Sequence, residues 1–260
     1  MKKTLALLLA ALMALTALVI PAMAETDMEY VKNKGVLVVG ITDFAPMDYK
    51  DENGEWIGFD ADLAKAFAEY LGVKLELVEI DWDSKILELN GKSIDCVWNG
   101  MTLTDEVKSA METSNAYANN AQVVVLPAAK ANDYADVAAM AGLSFAVEAG
   151  SAGEAEIDAL GYNKTAVQNQ AATLLEVKAG TSDAAVIDAL MAAAMVGEGT
   201  DYADLTYTFS LNSEEYGVGF RKGSDLAAAL NEFMAAAYAD GSMMAIAETY
   251  GVQAAIIPQE

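Results

Sequence analysis

The chain has 260 residues, 15 basic against 39 acidic, a formal charge of -24 and no histidine. Without histidine there is no Ser-His-Asp or Cys-His nucleophile, no HExxH zinc site and no imidazole base, which favours binding over catalysis. So acidic a surface repels phosphate backbones, so nucleic acid is not an expected partner.

Residues 1–24 read as an export signal. Lys2 and Lys3 precede an apolar run from Leu5 to Ile20, and Pro21-Ala22-Met23-Ala24 closes it with the small-x-small pattern cut by signal peptidase. The run is short and Glu25-Thr26-Asp27 follows at once, which argues against a membrane anchor. A lipoprotein would need cysteine at the cut, but the one cysteine is Cys96, in the apolar run from Ile94 to Trp98, expected as a small buried hydrophobe. The expected location is periplasmic or secreted.

The apolar run Val36–Ile41 predicts a strand buried on both faces. Asn53-Gly54 marks a turn, and Asp60 reads as the N-cap of a helix that places Leu63, Phe67, Tyr70 and Leu71 on one face and ends at Gly72. A strand over 74–80, a helix over 83–89 and a strand over 94–98 complete a β-α-β-α-β pattern, the grammar of a parallel sheet covered by helices. A helix over 104–111 and a strand over 122–126, stopped by Pro127, follow. A second unit repeats the pattern: strand 143–148, a glycine-containing turn at 150–153, helix 154–160 closed by Gly161, strand 165–168, helix 171–179, strand Ala184–Asp188 and helix 189–196. Strands over 205–209 and 218–221 and two helices, Leu226–Ala239 and 243–250, end the chain. Ligands of open α/β sheets bind at the carboxyl ends of the strands, and two such units facing each other make a cleft.

Gly58-Phe59-Asp60-Ala61-Asp62-Leu63-Ala64, Leu71-Gly72-Val73-Lys74, Asp81-Trp82-Asp83-Ser84, Gly91-Lys92-Ser93-Ile94-Asp95 and Gly100-Met101-Thr102-Leu103-Thr104 come in that order. Tyr216-Gly217-Val218-Gly219-Phe220-Arg221-Lys222-Gly223 and Ala239-Asp240-Gly241 follow them. The set resembles the successive blocks of the family 3 extracellular solute-binding proteins, the polar amino acid receptors of ABC importers, from about Val36 to Gly251. The resemblance implies the α/β, two-lobed type II periplasmic binding protein fold: each lobe a sheet flanked by helices, joined by two crossing strands and closing on ligand by hinge motion. Lobe 1 is expected to hold residues 28–121 and 213–260, lobe 2 residues 122–212, with crossings near 122–126 and 209–215. The implied partner besides the solute is an ABC permease; the chain is expected to be a monomer without cofactor or metal.

The resemblance also implies site residues, each with a structural alternative. Phe44 matches an aromatic that stacks on the ligand, otherwise a core residue. Trp82 matches the pocket wall, otherwise a buried start to the next helix. Gly100 and Thr102 match the segment whose backbone and hydroxyl meet the ligand's ammonium and carboxylate; Thr102 is otherwise a turn residue. Asp188, ending the apolar run from Ala184 to Ile187, matches the acid that pairs with the ligand's ammonium, and its alternative is capping the next helix. Ser151 follows Gly150 in lobe 2, and Trp98 and Asn99 are candidates for altered pocket shape. Two departures stand out. Val107 occupies the position of an arginine that grips the ligand's carboxylate with a bidentate fork, and Ala152 replaces a second hydroxyl residue. Arg221, the only arginine, belongs to a closing block of lobe 1, and Lys108 would point about 100° away on a helix. Losing such a fork costs roughly a hundredfold or more in affinity. Either the ligand lacks a free α-carboxylate, or another cation replaces the arginine; Lys85 is the candidate, although as a residue it reads first as an exposed surface lysine. Two other classes remain: a cyclohexadienyl dehydratase-like enzyme on the same fold, and a ligand-sensing module, which would normally continue into a transmembrane helix. No EF-hand spacing is present.

Overall fold

In the computed structural model, which describes residues 25–260, the apolar run Val36–Ile41 is strand β1, buried from Leu37 onward. The expected export signal lies outside the described residues. A helix the sequence reading did not include, α1 (Asp27–Lys34), precedes β1, opened by a capping box between Thr26 and Glu29. After β1, the hairpin of β2 (Tyr49–Lys50) and β3 (Trp56–Ile57) turns at Asn53-Gly54.

Helix α2 (Phe59–Leu71) buries Phe59, Leu63 and Phe67 on the first sheet. Two expectations about it are corrected. Gly58 takes the N-cap position, and Asp60 sits within the first turn, fully buried, its Oδ2 accepting hydrogen bonds from the Gly100 N–H and the Tyr117 hydroxyl, each at 2.7 Å. Tyr70 is 55% exposed, at the edge of the face that Leu63, Phe67 and Leu71 bury, its ring lying over Phe67 and Phe233.

The first sheet runs β4-β1-β5-β13-β6, with β7 also on β13. Its strands are β4 (Lys74–Glu79), β5 (Cys96–Thr102), β6 (Met111–Thr113), β7 (Ala118–Asn120) and β13 (Glu214–Arg221). β1 pairs in parallel with β4 and β5, and β13 runs antiparallel to β5. Strand β5 starts and ends later than the apolar run suggests, since pairing of Tyr216 with Thr102 and Gly217 with Met101 draws the polar Asn99-Gly100 stretch into the sheet. The second sheet is ordered β10-β9-β11-β8-β12, from β8 (Gln122–Pro127), β9 (Ser144–Glu148), β10 (Asn163–Val167), β11 (Ala184–Asp188) and β12 (Leu205–Ser210). The chain passes between sheets at Ala121, between β7 and β8, and returns between Ser210 and Glu214. β8 itself lies wholly within the second sheet.

Short helices carry the cleft residues: α3 (Lys85–Asn90), α4 (Asp105–Ala110), α5 (Ala152–Leu160), α6 (Gln170–Ala179) and α7 (Ala189–Met195). α8 (Leu226–Ala239) and α9 (Ser242–Thr249) complete the first lobe, with α8 packed on α2 and β13. Arg221 is fully committed away from the cleft: its guanidinium donates to Asp27 at 3.0 Å, to Asp95 at 3.3 Å and to the Ile94 carbonyl at 2.8 Å. Asp95, fully buried, also accepts from Lys34 and from the Val38 N–H. A buried charge network of this kind is costly unless every partner is present. The one arginine of the chain is therefore a structural tie.

Candidate functional site

The carboxyl ends of β5, β9 and β11 and the first turns of α3, α4, α5 and α6 enclose a cavity of about 280 Å³ between the lobes. Phe44, Trp82, Lys85, Asn99, Gly100, Thr102 and Val107 line it from the first lobe, and Ser151, Ala152 and Asp188 from the second. The exception among the candidates is Trp98. Trp98 lies under α2, fully buried against Phe67 at 6.3 Å between ring centroids, and does not reach the carboxyl end of β5 where the cavity opens.

Most first-lobe donors are already engaged. Phe44 is not an exposed aromatic: it is 2% exposed, edge-on to Tyr216 with centroids 6.4 Å apart, and still presents a face to the cavity. Its ring occupies the space a Cβ on Gly100 would fill, and Gly100 itself adopts φ +53°, so glycine is required there on two counts. The Gly100 N–H points at Asp60 rather than into the cleft. Asn99 spends its amide on Thr42 and Asp48: Nδ2 donates to the Thr42 carbonyl and Asp48 Oδ2, and Oδ1 accepts from the Thr42 N–H and hydroxyl. Thr102 Oγ1 donates to Glu214 Oε1 at 3.0 Å, leaving lone pairs for a ligand.

Lys85 is the main correction. It is 8% exposed rather than on the surface, because α3 begins at this residue and its first turn faces the cleft. Nζ sits 4.9 Å from the Trp82 ring centroid and donates to the Trp82 carbonyl at 3.2 Å and, across the cleft, to the Gly150 carbonyl at 2.9 Å. An ammonium has three donors, so one remains. Burial pushes the Lys85 pKa down, against the nearby charges of Glu148, Glu106 and Asp83. The lobes touch here: a Cβ on Gly150, at φ +72°, would lie 2.6 Å from Asp83 Cα.

In the second lobe the loop donors cap α5. The Gly150 N–H donates to Glu154 Oε2 at 2.7 Å, and Ser151 Oγ accepts from the Glu154 N–H. Asp188 stands at the N-cap position of α7 but makes no capping bond. Its carboxylate instead accepts from Asn120, Gln122 and Gln170, and the Asp188 N–H donates to Gln170 Oε1. Asn120 and Gln122 also donate to Glu214 Oε1, so two acids share amide donors where the chain crosses between lobes. Burial first, and the neighbouring Glu214 charge second, push the Asp188 pKa well up.

Glu148 was not among the expected site residues. It ends β9, is 2% exposed, lines the cavity and leaves Oε1 without a hydrogen-bond partner. Burial, then the Asp188 charge, raises its pKa to about 8, with Lys85 opposing. The signal that singled out Asp188, an acid closing an apolar strand, is present at Glu148 too, two residues before Gly150. Gln122 and Gln170, which orient Asp188, carry no comparable signal. The cavity is thus rich in acceptors and acids and poor in free donors. Among the described residues, no group of three or more Cys, Asp or Glu side chains is placed to hold a metal ion, and no helix is long and apolar enough to cross a membrane.

Comparison with known proteins agrees with this architecture. The sequence profile of bacterial extracellular solute-binding proteins, family 3, matches residues 37–253. The arginine-binding extracellular protein ArtP of Bacillus subtilis (strain 168) is 31% identical over 239 residues, covering 89% of this chain and 91% of ArtP. A crystal structure of a mutant of ArgBP from T. maritima superposes with a TM-score of 0.81 at 32% identity, covering 86% of this chain and 98% of that one. The ancestral amino acid-binding protein AncCDT-1, a precursor of cyclohexadienyl dehydratase, gives a TM-score of 0.78 at 29% identity over 86% of this chain and 98% of its own. With two sheets, a double crossing and a cleft built from the expected segments, the chain belongs to family 3 of the bacterial extracellular solute-binding proteins.

Proposed function

We propose that the protein is an extracytoplasmic receptor of an ABC importer that closes its lobes on an amine-bearing small solute, an amino acid or a derivative of one, and delivers it to a permease. The observation that carries this reading is Asp188, a buried carboxylate held by three amide side chains and facing a cavity lined from both lobes. Phe44 and Trp82 supply apolar walls, and Thr102 an acceptor. Val107 supplies no grip for an α-carboxylate, and the one donor left on Lys85 is a weak substitute for a guanidinium fork.

Calorimetry tests this directly. The wild-type protein is expected to bind agmatine, a guanidine amine with no carboxylate, at least as tightly as L-arginine; L-arginine binding roughly a hundredfold tighter than agmatine would overturn that preference. Val107→Arg is expected to reverse the order, tightening L-arginine by about tenfold or more through a restored charge-assisted pair.

A catalytic reading has one observation in its favour: Glu148 is a buried acid in the cleft that holds its proton to about 8, as a general acid must. A dehydratase substrate brings carboxylates, however, and the donors to seat them are largely engaged. We therefore infer a binding protein rather than an enzyme. Assays with prephenate and arogenate are expected to show no turnover above background, and measurable turnover that Glu148→Gln removes would overturn this.

A further inference from the structure

Asp188 does not stand alone at the carboxyl edge of the second sheet. β9 and β11 are parallel neighbours, with Ala185 beside Ala146. Glu148 ends β9 and Asp188 ends β11, both acids line the same cavity, and the Asp188 charge acts on Glu148. The three amides on Asp188 leave a lone pair on Oδ2, since Oδ1 takes Asn120 and Gln122 while Oδ2 takes only Gln170. Glu148 Oε1 is buried without any partner. A buried carboxyl oxygen left unsatisfied is costly, and a carboxyl pair that close repels itself when both ionise. A group that donates to both oxygens and carries positive charge relieves both costs at once. The opposite chemistry, a ligand carboxylate, would find the Gly100 and Gly150 N–H groups already turned to Asp60 and Glu154.

We propose, resting on the receptor reading above, that Glu148 and Asp188 form a two-carboxylate seat for one cationic group of the ligand, an ammonium or guanidinium, and that the cleft selects protonated amines and guanidines without a carboxylate over zwitterions. Glu148 then ionises as the cation arrives. With its pKa near 8 it is about nine-tenths protonated at pH 7, so seating a cation releases close to one proton. The charged and titratable groups around it are Lys85 on α3, with Glu106 and Asp83 behind it, and Asp188 on β11, with Glu214 and Tyr216 behind that. Lys85 favours the ionised form of Glu148 and the acids oppose it, so the cation tips a balance already set in the cleft.

The test is calorimetry of the full chain with agmatine and with cadaverine near pH 7, in two buffers of different ionisation enthalpy. Neither probe changes its own protonation there. The wild-type protein is expected to release about one proton from Glu148 per agmatine bound, together with any proton that Asp188 gives up. Glu148→Gln, close in size to the protonated acid, is expected to release about one proton fewer than wild type and to bind at least about tenfold more weakly; Glu148→Asp is expected to recover part of both. A cooperative melt of each variant shows that it is folded. If Glu148→Gln binds as tightly as wild type with the same proton release, the two-carboxylate seat is wrong and the receptor reading stands. If wild type binds neither probe but binds L-arginine, the seat is likewise overturned. If it binds none of agmatine, cadaverine, L-arginine or the other common amino acids, the receptor reading itself falls and the seat with it.

Discussion

Glu148→Gln is expected to stabilise the ligand-free protein by a few kcal/mol at pH 8 and above, and to change it little near pH 4. The buried carboxyl holds its proton to about 8 in the folded protein, against 4.5 in the unfolded chain, with burial as the main cause and the Asp188 charge as the second. Below 4.5 both states are protonated, and the acid contributes no penalty. Between 4.5 and 8 the unfolded chain has released the proton and the folded protein has not, so stability falls with rising pH by about 1.4 kcal/mol per unit. Above 8 both states are ionised and the loss levels off, at roughly 5 kcal/mol if nothing else relaxes. Glutamine never ionises and removes this slope, although Lys85 then loses a partner, which trims the gain. Denaturant unfolding at pH 4, 6 and 8 checks it. A difference between variant and wild type that stays flat across that range would show that Glu148 does not carry a buried proton.

Asp188→Asn is expected to weaken agmatine binding by about a hundredfold or more while leaving the fold intact. A charge-assisted hydrogen bond to a buried carboxylate contributes roughly 1.5–3 kcal/mol, and the loss of Coulomb attraction in a dry cleft adds to it. Asparagine keeps an acceptor oxygen for the amides of Asn120 and Gln122 and ends the repulsion with Glu214, while its NH2 displaces the Gln170 amide, so the melting temperature is expected to change little. Binding within about threefold of wild type would remove Asp188 from the site. The two substitutions differ in kind: Glu148 leaves a carboxyl oxygen without a partner in the ligand-free protein, whereas Asp188, equally buried, is hydrogen-bonded by three amides at the crossing between the lobes.

The strand and helix grammar of the first lobe was readable because buried parallel strands are continuous apolar runs and helices end in glycine, as at Val36–Ile41 and Gly72. Errors fell where tertiary pairing overrides local pattern. β5 extends through Asn99 and Gly100 because β13 supplies partners for it, and Asp60 is drawn inward as an acceptor for Gly100 and Tyr117 instead of capping α2. Most candidate site residues came from motif order, and all but Trp98 line the cavity. Trp98 failed on a matter of depth: its ring lies under α2 against Phe67, short of the carboxyl end of β5 where Gly100 and Thr102 meet the cavity, and motif position does not give that depth.

By itself the sequence determined the family, the two α/β units and the presence of valine at position 107, where the resemblance implies an arginine, because these depend on residue identity and order alone. It also determined that the only arginine is Arg221, but the burial of that guanidinium among Asp27, Asp95 and the Ile94 carbonyl was decided by the tertiary structure. So were the burial of Lys85, its bond across the cleft to Gly150, and the partnerless Glu148 beside Asp188. Each of these depends on which hydrogen-bond donors remain free once residues distant along the chain have met. Local sequence carries no record of that allocation, and here it leaves a cleft rich in acids and poor in free donors.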